Sequence, residues 1–157
     1  MHEIDFVALD CETTGIDSRR DNIIELGAVK FSVAENSASF DSLFASPTRI
    51  PQFVERLTGI QNSDLDGAPQ FAEKKSELEN FVGDSVVVGH NLPFDLDFLK
   101  TAGADFADRK TLDTFLLAGL ILPRGESLGL ENLAAKFGIA HVDAHRALAD
   151  AEATRDL

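Results

Sequence analysis

A single cysteine, Cys11, is the whole thiol content of the 157-residue chain, so an intramolecular disulfide and a thiolate metal cluster are both excluded. No apolar run approaches the roughly 20 residues that span a bilayer. The opening stretch MHEIDFVALD has acids where a secretory signal has basic residues. These absences predict a cytoplasmic chain without a membrane segment. Basic residues are scarce too: 14 stand against 27 acidic ones, a formal charge of −13. General attraction is the wrong mechanism for holding a polyanion at that charge, so a nucleic-acid partner would have to be delivered by something else. Repeats, low-complexity tracts and linkers are also missing, and the length suits one domain with a substantial core.

What is present changes character about halfway along. Segments 4–10, 22–33 and 38–45 are rich in Val, Ile, Phe and Ala and read as a strand meander, with AENS at 34–37 as the turn between the second and third. From residue 51 the pattern becomes helical, in PQFVERL, with Pro51 in its first turn, and in PQFAEKKSELENFVG, which ends at Gly83. SVVVGH reads as a buried strand and RKTL, before Asp113, as a fifth. Helices are expected over 93–102, 113–121, 128–137 and from 144 onward. The sum is an α/β domain with a central mixed five-stranded sheet flanked by helices.

Three stretches carry acids whose placement needs a reason. In DFVALDCETTG, side chains at i and i+2 of a strand share a face, so Asp10 and Glu12 emerge side by side while Cys11 points the other way. Like charges that close repel unless a cation lies between them, and oxygen ligands suit magnesium or manganese; loop acids in solvent are the alternative. Cys11, between two carboxylates, reads as a small buried hydrophobe rather than a nucleophile. In VVVGHNLPFDLDFLK, Asp95 shares a helical face with Phe98, Leu99 and Ala102 and points inward, whereas Asp97 lies near Lys100 and Thr101. His90 reads as a hydrogen-bonded structural histidine. In DAHRALADAEATRDL, Ala147, Asp150, Ala151 and Thr154 form a small-residue stripe bearing one carboxylate. His145 belongs at the entrance of that helix with its ring free to swing toward the same pocket, and Asp143 is a candidate N-cap. His141 is the weaker competitor, since no acid stands at comparable spacing.

Together, DCETTG, HNLPFD and HRALAD resemble, in order, the three motifs of the DnaQ-like exonucleases of the DEDDh group. Further similarity in DNIIELGAVKF, LTGI, TLDTFLLA and SLGLENLAAKFGI extends the resemblance over nearly the whole chain. It implies a ribonuclease H-like fold and a metal-dependent 3′–5′ exonuclease that releases nucleoside 5′-monophosphates from DNA 3′ ends in proofreading or repair. It assigns Asp10, Glu12, Asp95 and Asp150 as ligands of two Mg2+ or Mn2+ ions and His145 as general base, a task suited to a group titrating near neutrality. It also assigns Thr13, Thr14, Gly15 and Ile16 to the cradle of the 3′ terminus, Ile16 as a wedge between terminal bases, and Asn91 to the nucleotide. From the residues alone, a turn at 13–15, a loop anchor at 16 and a helix cap at Asn91 serve as well, and Asp113 is most simply the N-cap of the helix it precedes.

An RNA-trimming enzyme similar to oligoribonuclease or ribonuclease T, and a non-catalytic interaction domain of the same fold, are the alternatives. The complete set of five residues argues against the second. The implied partners are single-stranded or frayed 3′ ends. The final segment stops at Leu157 in helical register without a capping signal, so residues 1–157 are expected to be one exonuclease domain of a larger polypeptide, working with a polymerase or helicase in cis or trans.

Overall fold

The computed structural model describes residues 4–32 and 38–157; the turn expected at 34–37 lies outside the described residues. Strands β1 (Phe6–Thr13), β2 (Ile23–Phe31) and β3 (Ala38–Leu43) form the expected antiparallel meander. Strands β4 (Val86–Gly89) and β5 (Thr111–Asp113) add in parallel on the other side of β1, giving the order β3-β2-β1-β4-β5. The sheet is mixed because antiparallel neighbours need only a short connection, whereas the parallel additions are reached through the helices α2 (Phe71–Val82) and α3 (Leu92–Thr101).

β1 is the centre of the molecule and is covered on both faces. Its Val7, Leu9 and Cys11 enter a cluster with Phe44, Leu78, Val82, Phe98 and Leu99, beneath α2 and α3. Each fully buried Leu or Phe there contributes about 1.5–3 kcal/mol of transfer free energy. The opposite face, carrying Ala8, Asp10 and Glu12, receives α6 (Ala147–Asp156). A second cluster of Ile24, Ile50, Val54, Ile60 and Leu65 seats α1 (Gln52–Thr58) and a 3₁₀ turn (Asn62–Leu65) near the end of the meander. α4 (Thr114–Ile121) and α5 (Leu130–Phe137) complete the fold. Among the described residues, no helix is long and apolar enough to cross a membrane.

Several boundaries differ from the sequence pattern for identifiable reasons. β1 runs to Thr13 rather than 10, because Glu12 pairs across the ladder with Glu25 before the register shifts between Glu12 and Thr13. Pro51 occupies the N-cap of α1, and α5 begins at Leu130 after Gly129. α6 begins at Ala147, not 144. Asp143 (φ 60°) and His145 (φ 66°) are left-handed, which breaks helical continuity, so Asp143 is not the N-cap. Asp113 is the cap of α4 that the sequence suggested, accepting the Phe115 N–H at 2.9 Å.

Candidate active site

The acids meet where the sheet's central strand ends. Asp10 and Glu12 leave β1 on the face that α6 covers, while Cys11 turns into the core. The Cys11 main-chain N–H donates to Asp95 Oδ1 at 2.9 Å, fixing the buried carboxylate of α3 against β1. Burial, then the negative Asp95, push the Cys11 thiol well up, so the thiolate is suppressed.

Asp150 is delivered by an unusually close helix-to-strand approach. Gly27 of β2 lies opposite Asp10, and a Cβ there would sit 2.2 Å from Leu148 N and 2.3 Å from the Ala147 carbonyl carbon. The α6 backbone therefore rests directly on the strand, with Ala147 and Ala151 buried beside it. Glu25 locks this arrangement. Only 2% exposed, it accepts from Arg146 Nε at 3.0 and 3.1 Å and from the Ala147 N–H at 2.9 Å, so an acid on β2 caps α6. Sequence reasoning missed Glu25; the available signal was one acid inside the apolar run IIELGAV, at the position whose side chain faces Glu12.

The electrostatics are those of crowded carboxylates. Asp10 is held well above the usual carboxylate range by burial, then by Asp95, Asp150, Glu12 and Glu25. Burial, then Asp150, raises Glu12 to about 8, and burial raises Asp95 to about 7. Arg146, the nearby cation, is committed to Glu25. Glu12, His145 and Asp150 each offer a ligand atom, all within 4.8 Å of one another. A set of hard oxygen donors short of positive charge fits a divalent cation such as magnesium or manganese.

The two histidines divide differently from expectation. His141, not His145, packs on Asp150: its Nε2 donates to Asp150 Oδ1 at 2.6 Å, and its side chain is only 7% exposed. The argument from spacing failed because the left-handed residues at 143 and 145 fold the segment back on the helix. His145 sits at the helix entrance as expected. Its main-chain N–H reaches Asp150 Oδ1 at 3.2 Å, and its more exposed ring lies with Nε2 3.1 Å from Glu131 Oε1. His90 is structural as expected, bonded to Thr114 Oγ1 at 2.9 Å and the Leu128 carbonyl at 2.8 Å.

The residues assigned to the strand terminus are mixed. Thr13 and Thr14 are buried. The Thr13 hydroxyl donates to the Gly15 carbonyl at 2.6 Å, and Thr14 Oγ1 accepts the Asn22 N–H at 2.9 Å, so both side chains hold the turn. Ile16 projects into solvent, 88% exposed. Gly15 packs on the Asp21 carboxylate, 2.3 Å from where a Cβ would lie. Asn91 is exposed and left-handed (φ 67°) and makes no side-chain cap, which removes the capping account; its N–H donates to Asp113 at 3.0 Å.

Comparison with known proteins shows the family. The profile of the exonuclease family RNase_T matches residues 7–157. The PolC-type DNA polymerase III of Latilactobacillus sakei is 35% identical over 158 residues, covering 98% of this chain but 11% of the relative, so the chain spans about a tenth of the length of such polymerases. The DNA polymerase III epsilon subunit of Aquifex aeolicus is 33% identical over 156 residues, which cover 97% of this chain and 77% of the subunit. Among solved structures, E. coli exonuclease I in complex with a dT13 oligonucleotide superposes with a TM-score of 0.80 at 20% identity, over 96% of this chain and 39% of that one, a likeness of fold. With its ordered acids on a mixed sheet of ribonuclease H-like architecture, the chain belongs to the DnaQ-like 3′–5′ exonuclease family.

Proposed function

We propose that this chain removes nucleotides one at a time from the 3′ ends of DNA, as nucleoside 5′-monophosphates, in proofreading or repair. The observation that carries the reading is the convergence of Asp10, Glu12, Asp95 and Asp150 in one cluster, with the His145 ring within ligand reach of Glu12 and Asp150. Asp10, Glu12, Asp95 and Asp150 would hold two Mg2+ or Mn2+ ions, which supply Lewis-acid stabilisation of the scissile phosphate and its leaving oxygen. Asp95 is kept from rotating by the Cys11 N–H, and Asp150 by His141 and the His145 N–H, so the ligands are oriented before any ion arrives. His145 takes up a proton from the attacking water on a ring nitrogen, and Glu131, 3.1 Å from Nε2, stabilises the charge the ring gains. Ile16, exposed at the turn after the acid pair, meets the terminal base.

The names of the relatives support DNA as substrate and a polymerase as partner, because two of them are DNA polymerase III components. Similarity to a Staphylococcus haemolyticus protein named 3′-5′ exonuclease DinG supports the exonuclease reading itself. The test is a 3′-labelled single strand beside a circular one. Labelled mononucleotide should appear at once from the linear strand, the circle should stay intact, and chelator should stop the reaction. Cleavage of the circle, or activity that survives exhaustive chelation, overturns the reading.

A further inference from the structure

A chain of charge −13 has to hold a polyanion somewhere, and the segment between β1 and β2 is built in a way that bears on this. The Asp17 carbonyl accepts the N–H groups of Arg20 and Asp21, each at 2.8 Å. Its carboxylate accepts the Arg19 N–H at 3.1 Å, and the Asp21 carboxylate accepts the Asp17 N–H at 3.0 Å. The Ser18 hydroxyl donates to Asp97 of α3, tying the loop to the helix that carries Asp95. The polar groups of the loop are thus satisfied inward and the turn is braced.

Two side chains are left out of this bracing. Arg19 and Arg20 stand 87% and 85% exposed, each with Nε 3.6 Å from Asp17, a separation at which a surface ion pair contributes little. They border a groove of about 360 Å³ whose far wall comes from Gln70 and Phe71 ahead of and within α2, and from Thr101 and Ala102 at the end of α3. Although the chain has 27 acids, the lining of this groove includes one, Asp21, whose carboxylate is already bonded to the loop. Ile16 precedes Arg19 by three residues, so the guanidinium groups are anchored within about 14 Å of the position assigned to the terminal base.

We propose that the Arg19–Arg20 groove holds the sugar-phosphate backbone of a single strand on the 5′ side of its terminal nucleotide, so that affinity grows with strand length. The guanidinium fork matches phosphate oxygens in pairs, and Phe71 offers a partly exposed aromatic surface on the opposite wall. The proposal rests on the exonuclease reading for the placement of the 3′ end, and its occupant is the same nucleic-acid strand. It also removes the charge difficulty locally: the strand meets cations presented by a braced loop that follows the acid pair of β1 in the chain.

The test compares a 12-nucleotide oligo(dT) with the dinucleotide, using the full chain and the double variant Arg19→Ala/Arg20→Ala. The ratio of kcat/KM for the long substrate to that for the short one should fall about tenfold, through KM. The salt dependence of log kcat/KM on the 12-mer should flatten by about 1.4, the change for two lost single-strand phosphate contacts. Arg19→Lys/Arg20→Lys should restore the salt slope. Lys30→Ala/Lys110→Ala, an equal charge loss near the opposite end of β1, should leave the ratio alone. Anisotropy of a labelled 12-mer in calcium reads the groove apart from hydrolysis. An unchanged ratio together with unchanged 12-mer binding overturns the proposal. Arginine-dependent binding without hydrolysis of either substrate keeps the groove and sinks the exonuclease reading.

Discussion

Withdrawing divalent cations should make the stability of this protein fall as pH rises, and returning them should reverse the trend. Burial and repulsion from neighbouring acids raise Glu12 from 4.5 to about 8 and hold Asp10 well up, and burial raises Asp95 from 3.8 to about 7. Each folded value lies above its unfolded one, so between roughly pH 4.5 and 8 the metal-free folded chain binds more protons than the unfolded chain. Its stability is therefore full below that window and is lost through it. Glu12 alone, displaced to about 8, costs on the order of 4 kcal/mol by pH 8. For a domain of this size that corresponds to a fall in Tm on the order of 10 °C. A cation that binds only the folded form, at a hundred times its Kd, adds about 2.7 kcal/mol, or roughly 5–11 °C. Calorimetric melts across the window, in chelator and in magnesium or manganese, read both effects. Glu12→Gln should shrink the slope and, in chelator near pH 8, melt above the parent protein. A flat or rising Tm in chelator, or no response to either metal, would refute the reasoning.

Three further outcomes follow from the way α6 is held. Glu25→Ala removes both the helix cap and the Arg146 partner and should lower the unfolding free energy by roughly 2–4 kcal/mol in urea titrations; a loss within error would mean the clamp is ornamental. Gly27→Ala places a methyl group against the α6 backbone, where nothing flexible can give way, and should yield insoluble or metal-insensitive protein; normal melting and turnover would contradict the close approach. His145→Ala should lower turnover sharply with metal affinity largely kept, whereas His141→Ala should weaken metal binding, by roughly 10–100-fold, with His141→Asn recovering part of it. Metal titrations by calorimetry separate the two, and identical behaviour of both variants would erase the distinction drawn between the rings.

The sequence carried the elements and the acids because both depend on local spacing. Alternation placed Asp10 and Glu12 on one face, and helical phase turned Asp95 inward, as found. The pairing of His141 with Asp150 was not legible, since it arises from two left-handed non-glycine residues that no spacing rule anticipates. The role of Glu25 was hidden for another reason: it answers a need of residues 121 and 122 positions away, and only the register of β2 against β1 brings it there. Thr13 and Thr14 illustrate a third limit. A motif names residue types, while burial decides which of their groups face outward, and here both hydroxyls are spent on the turn.

The route of the chain through the site also sets an order in time. Asp10 belongs to the first described strand and Asp150 to the last described helix, and the face of β1 that bears the acids is covered by that helix. During synthesis the meander and its α2–α3 side can be assembled while α6 is still unmade. Until it arrives, Glu25 has no helix to cap and the carboxylates of β1 stand open to water. On the proposed exonuclease reading, a chain ended before α6 lacks Asp150 and should leave nucleic acid intact, because the helix that covers this face of the sheet also brings the last of the four acids.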